Sequence, residues 1–155
     1  MGVFSLFKRQ RPKFFSPEEK TAIIEAIRAA EKSTSGEIRV YIESHNRFVD
    51  AVDRASEVFF SLKMEKTQHR NGVLLYIAMK DHQLAIFADE GIYKIMGQAF
   101  WDASVKEIIE EISTGPMSES IIHCITKIGE VLTEKFPYQS TTDKNELPDD
   151  IVFGH

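Results

Sequence analysis

One cysteine in 155 residues excludes an internal disulfide. No apolar stretch approaches the roughly 20 residues a membrane-spanning helix needs. The few apolar residues at the start run into a basic segment instead of a signal-peptide cleavage site. The sequence patterns of cofactor chemistry are also missing. There is no Gly-x-Gly-x-x-Gly, no phosphate-cradling glycine loop with lysine, no Gly-x-Ser-x-Gly elbow and no His-Glu-x-x-His. The histidines at 45, 69, 82, 123 and 155 share no ligand spacing, which leaves zinc without support from the sequence. Such a chain must stabilise itself by burial, and 43% hydrophobic residues suffice for the core of one ordinary domain. The expectation is a soluble, cytoplasmic protein.

Acids outnumber bases, 24 to 19, and the imbalance is uneven. Residues 1–15 carry Lys8, Arg9, Arg11 and Lys13 without an acid, leaving 15 bases against 24 acids in the rest. An acidic body lacks the basic surface that nucleic acid requires, so no nucleic-acid partner is expected. The arm sets Val3, Phe4, Leu6 and Phe7 beside its basic residues, a composition suited to lying peripherally on an anionic membrane surface. A loosely packed terminus is the commoner reason for such an arm and the first reading of it.

Ser16-Pro17-Glu18-Glu19 marks a helix start, with a capping serine, a proline where its missing N–H costs nothing, and a glutamate placed to close a capping box. Ile23, Ile24, Ile27 and Ala30 then recur at helical spacing to about Lys32. Residues 37–43 alternate polar and apolar as a strand. Ala51, Val52, Ala55, Val58, Phe59 and Leu62 mark a second helix, and Val73 to Met79 is a nearly continuous apolar run suited to a central strand. Strand, helix, strand makes a parallel crossover. Leu84 to Ala88 follows so soon that it must return antiparallel. Two more helices are expected around Ala99–Ile112 and Ser118–Glu134, and the chain from Pro137 onward turns polar and acidic. The reading is a basic arm (1–15), one domain (16–136) and an acidic tail (137–155). The domain is a three-layer α/β/α sandwich around a small mixed sheet, with helices on both faces.

Strand direction sorts the polar residues into two groups. The carboxyl ends of the two parallel strands gather Glu43, His45, Asp50, Asp53, Asp81 and His82. The opposite end gathers Ser35, Gly36, Glu37, Arg70, Asn71, Gly72, Asp89, Glu90 and Gly91. Carboxylates beside sharply turning glycines suit a hard cation, calcium or magnesium, and Glu37, Asp89 and Glu90 are the first candidates, with Asp50 and Asp53 second. Each has a structural account as well. Asp89 can cap a turn, Glu37 can be a solvated strand end, Glu90 can pair with Arg70, and Asp50 and Asp53 can offset the dipole of the second helix. Cys124 among Ile121, Ile122, Ile125 and Ile128 reads as a packing residue rather than an activated thiolate, and the residues by themselves nominate no nucleophile.

Thr34-Ser35-Gly36-Glu37-Ile38-Arg39-Val40, Phe60-Ser61-Leu62-Lys63-Met64, Arg70-Asn71-Gly72-Val73-Leu74-Leu75-Tyr76-Ile77-Ala78, Ala88-Asp89-Glu90-Gly91-Ile92 and Phe100-Trp101, taken in order, resemble the TPM domain family. The resemblance spans residues 16–136 and implies an α/β/α sandwich. Family members include thylakoid-lumen proteins of photosystem II repair, with acid phosphatase activity and calcium binding, and a regulator of acetylcholine receptors. It thus implies a module that binds a divalent cation and works with an unidentified protein partner or a membrane surface. The alternative it implies is a metal-assisted acid phosphatase acting on phosphate monoesters, with Glu37 or Asp89 as base.

Overall fold

The computed structural model describes residues 14–47, 50–138 and 151–154. The basic arm, except for its last two residues, and most of the acidic tail lie outside the described residues, and with the arm goes its membrane-surface expectation. The chain order is α1 (Pro17–Glu31), β1 (Glu37–Glu43), α2 (Ala51–Ser61), β2 (Gly72–Ala78), β3 (Gln83–Ala88), α3 (Glu90–Met96), α4 (Gln98–Thr114), α5 (Met117–Lys135) and β4 (Ile151–Phe153). Among the described residues no helix is long and apolar enough to cross a membrane.

The capping box at the first helix forms as the sequence predicts: the Glu19 N–H donates to Ser16 Oγ (3.1 Å) and the Ser16 N–H to Glu19 Oε1 (2.9 Å). The sheet order is β3-β2-β1-β4. β1 and β2 are parallel, in register from Glu37 opposite Gly72 to Glu43 opposite Ala78, and β3 returns antiparallel to β2. The fourth strand goes beyond the sequence reading, since three residues of the acidic tail pair parallel to β1, Ile151 opposite Val40.

Alternation divides the sheet into two faces. Ile38, Val40 and Ile42 of β1, with Val73, Leu75 and Ile77 of β2, enter the larger core under α1, α4 and α5. Leu74, Tyr76, Ala78 and Ala85 face α2 and its Ala55, Val58 and Phe59. Every residue of β2 is buried, as its unbroken apolar run requires. Helices therefore cover both faces, and this is the expected α/β/α sandwich with one strand, β4, and one short helix, α3, more. α1 and α5 meet closely because Gly129 has no side chain: a Cβ there would lie 2.6 Å from that of Ala30.

Candidate functional site

The two-residue period of β1 puts Glu37, Arg39, Tyr41 and Glu43 on the α2 side of the sheet, where Glu37, Arg39 and Glu43 are buried. Burial of three charged residues in one strand is what the sequence concealed, because a glutamate at a strand end ordinarily reads as solvated. Each end of the sheet is closed by an arginine gripping a buried carboxylate.

At the end where β2 begins, Asp89 caps α3, accepting from the Glu90 N–H (2.8 Å). Arg70 holds both carboxylate oxygens, Nε to Oδ2 at 2.7 Å and Nη2 to Oδ1 at 2.8 Å, and reaches Glu90 Oε1 at 3.3 Å. The hydrogen bonds to Asp89 raise the Arg70 pKa further. Asn71, fully buried, donates from Nδ2 to Ser35 Oγ (3.2 Å), and its backbone carbonyl accepts from the Glu37 N–H (3.4 Å). Glu37, Asp89 and Glu90 share this end, but their ligand atoms do not all lie within 4.8 Å of one another, the spacing at which three donors could hold one ion.

At the carboxyl end, Glu43 receives Arg54 Nε at 2.7 Å and Nη2 at 2.8 Å, and the Tyr76 hydroxyl donates to Glu43 Oε2 at 2.5 Å. Burial alone would raise the Glu43 carboxyl, but the hydrogen bonds from Arg54 and Tyr76 outweigh it and hold the group below the usual carboxylate range. Tyr76 is pushed the other way, by burial first and then by its bond to Glu43. Tyr41 stacks on Tyr76 with ring centroids 6.2 Å apart, and the Arg54 guanidinium lies 5.9 Å from the Tyr41 ring. Nearby, Asp81 accepts from the Asn46 N–H (2.6 Å) and faces His45 Nδ1 (2.9 Å), and the His45 contact is the first cause of its lowered pKa. Asp50 caps α2 through Val52 N–H (2.7 Å). Both Asp50 and Asp53 are exposed, and neither is in an ion pair among the described residues.

Cys124 lies on the buried side of α5, and burial pushes its thiol up to about 12, which removes it as a thiolate nucleophile at neutral pH. Among the described residues one group of three possible metal donors meets the 4.8 Å spacing, and it is away from both sets nominated by sequence: Glu107 and Glu111 of α4 with His123 of α5. The four-residue spacing of the glutamates was visible in the sequence, but their meeting with His123 depends on how α4 packs against α5.

The sequence model of the TPM domain matches residues 9–131. The BA42 protein of the psychrophilic bacterium Bizionia argentinensis, solved by NMR, is similar at 39% identity and a TM-score of 0.84, covering 94% of this chain and 99% of its own. The N-terminal domain of the cg2496 protein of Corynebacterium glutamicum is similar in fold, with a TM-score of 0.60 at 15% identity over 92% of this chain and 82% of that one. None of the curated proteins matches.

Proposed function

This chain belongs to the TPM domain family, and on that footing we propose that it is a binding module that takes calcium or magnesium and acts through a protein or membrane-surface partner rather than through a nucleophile of its own. The observation that carries this reading is the commitment of its buried acids: Glu43 and Asp89 are each held at two points by an arginine. A cation at Glu37, Asp89 and Glu90 would have to unseat Arg70, and a buried carboxylate stripped of its partner costs on the order of a few kcal/mol. Asp50 and Asp53 are open to solvent, and the helix N-terminus beside them opposes a cation by no more than about 1 kcal/mol. The smaller penalty decides for Asp50 and Asp53. Two carboxylates suffice for an ion that keeps most of its water, as magnesium does.

Titration with either ion is expected to move the amide resonances of residues 50–54 at millimolar concentration and to leave Gly36, Asp89, Glu90 and Gly91 in place. Asp53→Asn should abolish the response. Shifts confined to the Asp89 end would return the site to the first set of carboxylates, and no shifts at either end would remove the cation reading.

A metal-assisted phosphatase acting on phosphate monoesters needs a carboxylate able to take a proton from water. Of the two candidate bases, Asp89 is held at both oxygens by Arg70, and Glu37 is buried at 3% exposure, where an attacking water has little access. The intact protein with added magnesium is therefore expected to release no phosphate from a generic phosphate monoester above the uncatalysed rate. Release that disappears in Asp53→Asn would establish the enzyme instead.

A further inference from the structure

Glu107 and Glu111 lie one turn apart in the C-terminal half of α4, a helix whose last turn has no basic residue. The C-terminal end of a helix carries partial negative charge, so Glu111, in the last turn, is at an electrostatic disadvantage unless a cation answers it, and Glu107 one turn away adds a second negative charge beside it. The answer comes from α5: His123 Nδ1 lies 2.7 and 2.9 Å from the two oxygens of Glu111, and Lys127 Nζ bonds Glu107. One ligand atom from each of Glu107, Glu111 and His123 falls within 4.8 Å of the others. These side chains border a cavity of about 20 Å³, room for one water or one ion. Its wall includes the sulfur-bearing Cys124, only 7% exposed and without a hydrogen bond among the described residues.

We propose that Glu107, Glu111 and His123 form a site for a zinc-class divalent cation, independent of the calcium or magnesium reading. The donor set chooses the class: an imidazole beside two carboxylates suits zinc and its first-row neighbours, whereas calcium and magnesium prefer oxygen alone. Three protein ligands with one position left to water is a common zinc arrangement, and His123, half exposed, leaves that position accessible. Lys127 holds the ion's place: its ammonium, itself half exposed, neutralises Glu107 and moves into solvent when the cation enters. The bound ion then ties the end of α4 to α5, doing with coordination what two surface ion pairs do without it.

Competition between the full-length protein and a chromophoric chelator for zinc tests this directly. One zinc per chain is expected, retained against a large excess of magnesium, with NMR shifts at His123 and around Glu107 and Glu111. His123→Ala and Glu111→Gln should each weaken zinc at least about tenfold. Lys127→Met should tighten it by up to about fivefold, because an exposed competing pair is lost. Melting of the metal-free variants checks that each is folded, and Glu111→Gln preserves shape if His123→Ala does not. Absence of zinc binding, displacement by magnesium, or equal affinity in wild type, His123→Ala and Glu111→Gln would overturn the site. None of these results bears on the calcium response at residues 50–54.

Discussion

Arg54→Ala is expected to destabilise the domain by about 3 kcal/mol, the low end of the range for removing one partner of a buried ion pair, which for a domain of this size lowers the melting temperature by roughly 10 °C. The low end applies because Arg54 is 19% exposed while Glu43 is 4% exposed, so water can partly replace the guanidinium but cannot easily reach the carboxylate. The truncation also removes the cation over Tyr41 and leaves the Glu43 carboxylate with Tyr76 as its remaining side-chain hydrogen-bond partner among the described residues. The pH dependence follows from the sign of the Glu43 shift. A carboxyl held below its ordinary value of 4.5 in the folded state contributes stability that is present above about pH 4.5 and is lost as pH falls through the lower folded value. Arg54→Ala removes the chief cause of that depression, so the variant should lose less stability than wild type on acidification from about pH 6 to about pH 3. Urea unfolding at several pH values measures both effects. A second variant separates charge pairing from packing: Glu43→Leu with Arg54→Met removes both charges, and its recovery of stability over Arg54→Ala would assign the loss to the stranded carboxylate. Equal stability of Arg54→Ala and wild type at neutral pH would mean that the pair contributes nothing net.

The elements that declared themselves in the sequence did so through local chemistry. Ser16, Pro17 and Glu19 specify the start of α1 without reference to anything distant, and the unbroken apolar run of β2 requires cover on both faces wherever it lies. β4 was harder to see: Ile151-Val152-Phe153 is apolar and strand-favouring, but it is only three residues at the end of a polar, acidic stretch, too short to read as a strand without the free edge of β1 beside it. α3 was hidden for a related reason: at seven residues it is too short for periodicity, and its clearest mark, the Asp89 cap, reads equally as a turn. At the sheet ends, Asp50 as the cap itself emerged from the structure, whereas the Asp89 cap, the contact of Glu90 with Arg70 and the placing of Asp50 and Asp53 at the start of α2 follow from neighbouring positions and were readable. Arg54 meeting Glu43 and Tyr76 was not, because it requires knowing which face of the sheet α2 covers. The α4–α5 donors show the same limit: His123 sits beside Cys124, and only the packed helical pair turns it toward Glu111.

Gly91→Ala is expected to be more damaging than any surface change in this chain, at about 3 kcal/mol or more, and to compromise folding at physiological temperature. Gly91 is the second residue of α3, and its backbone lies directly against the loop that leads into β2: its N–H donates to the Arg70 carbonyl at 2.8 Å. A Cβ there would stand 2.1 Å from the His69 carbonyl oxygen and 2.6 Å from that of Arg70. Both obstacles are backbone, so no side-chain rotation relieves them. The loop has little room to retreat, because Arg70 already holds a left-handed conformation (φ 50°), and its guanidinium grips the Asp89 that caps the same helix. Moving the loop therefore loosens the Asp89 grip and disturbs the entry to β2 at Gly72, whose carbonyl accepts the Asp89 N–H at 2.9 Å. Gly97 provides the contrast. It has a positive φ of 79° with ψ 157°, a conformation essentially confined to glycine, but open space around it, so Gly97→Ala carries only the backbone penalty, about 1–3 kcal/mol. Denaturant unfolding of the two variants should rank Gly91→Ala well below Gly97→Ala. A Gly91→Ala protein as stable as Gly97→Ala would mean that the loop bearing Arg70 yields without cost and does not serve as the rigid support of Asp89.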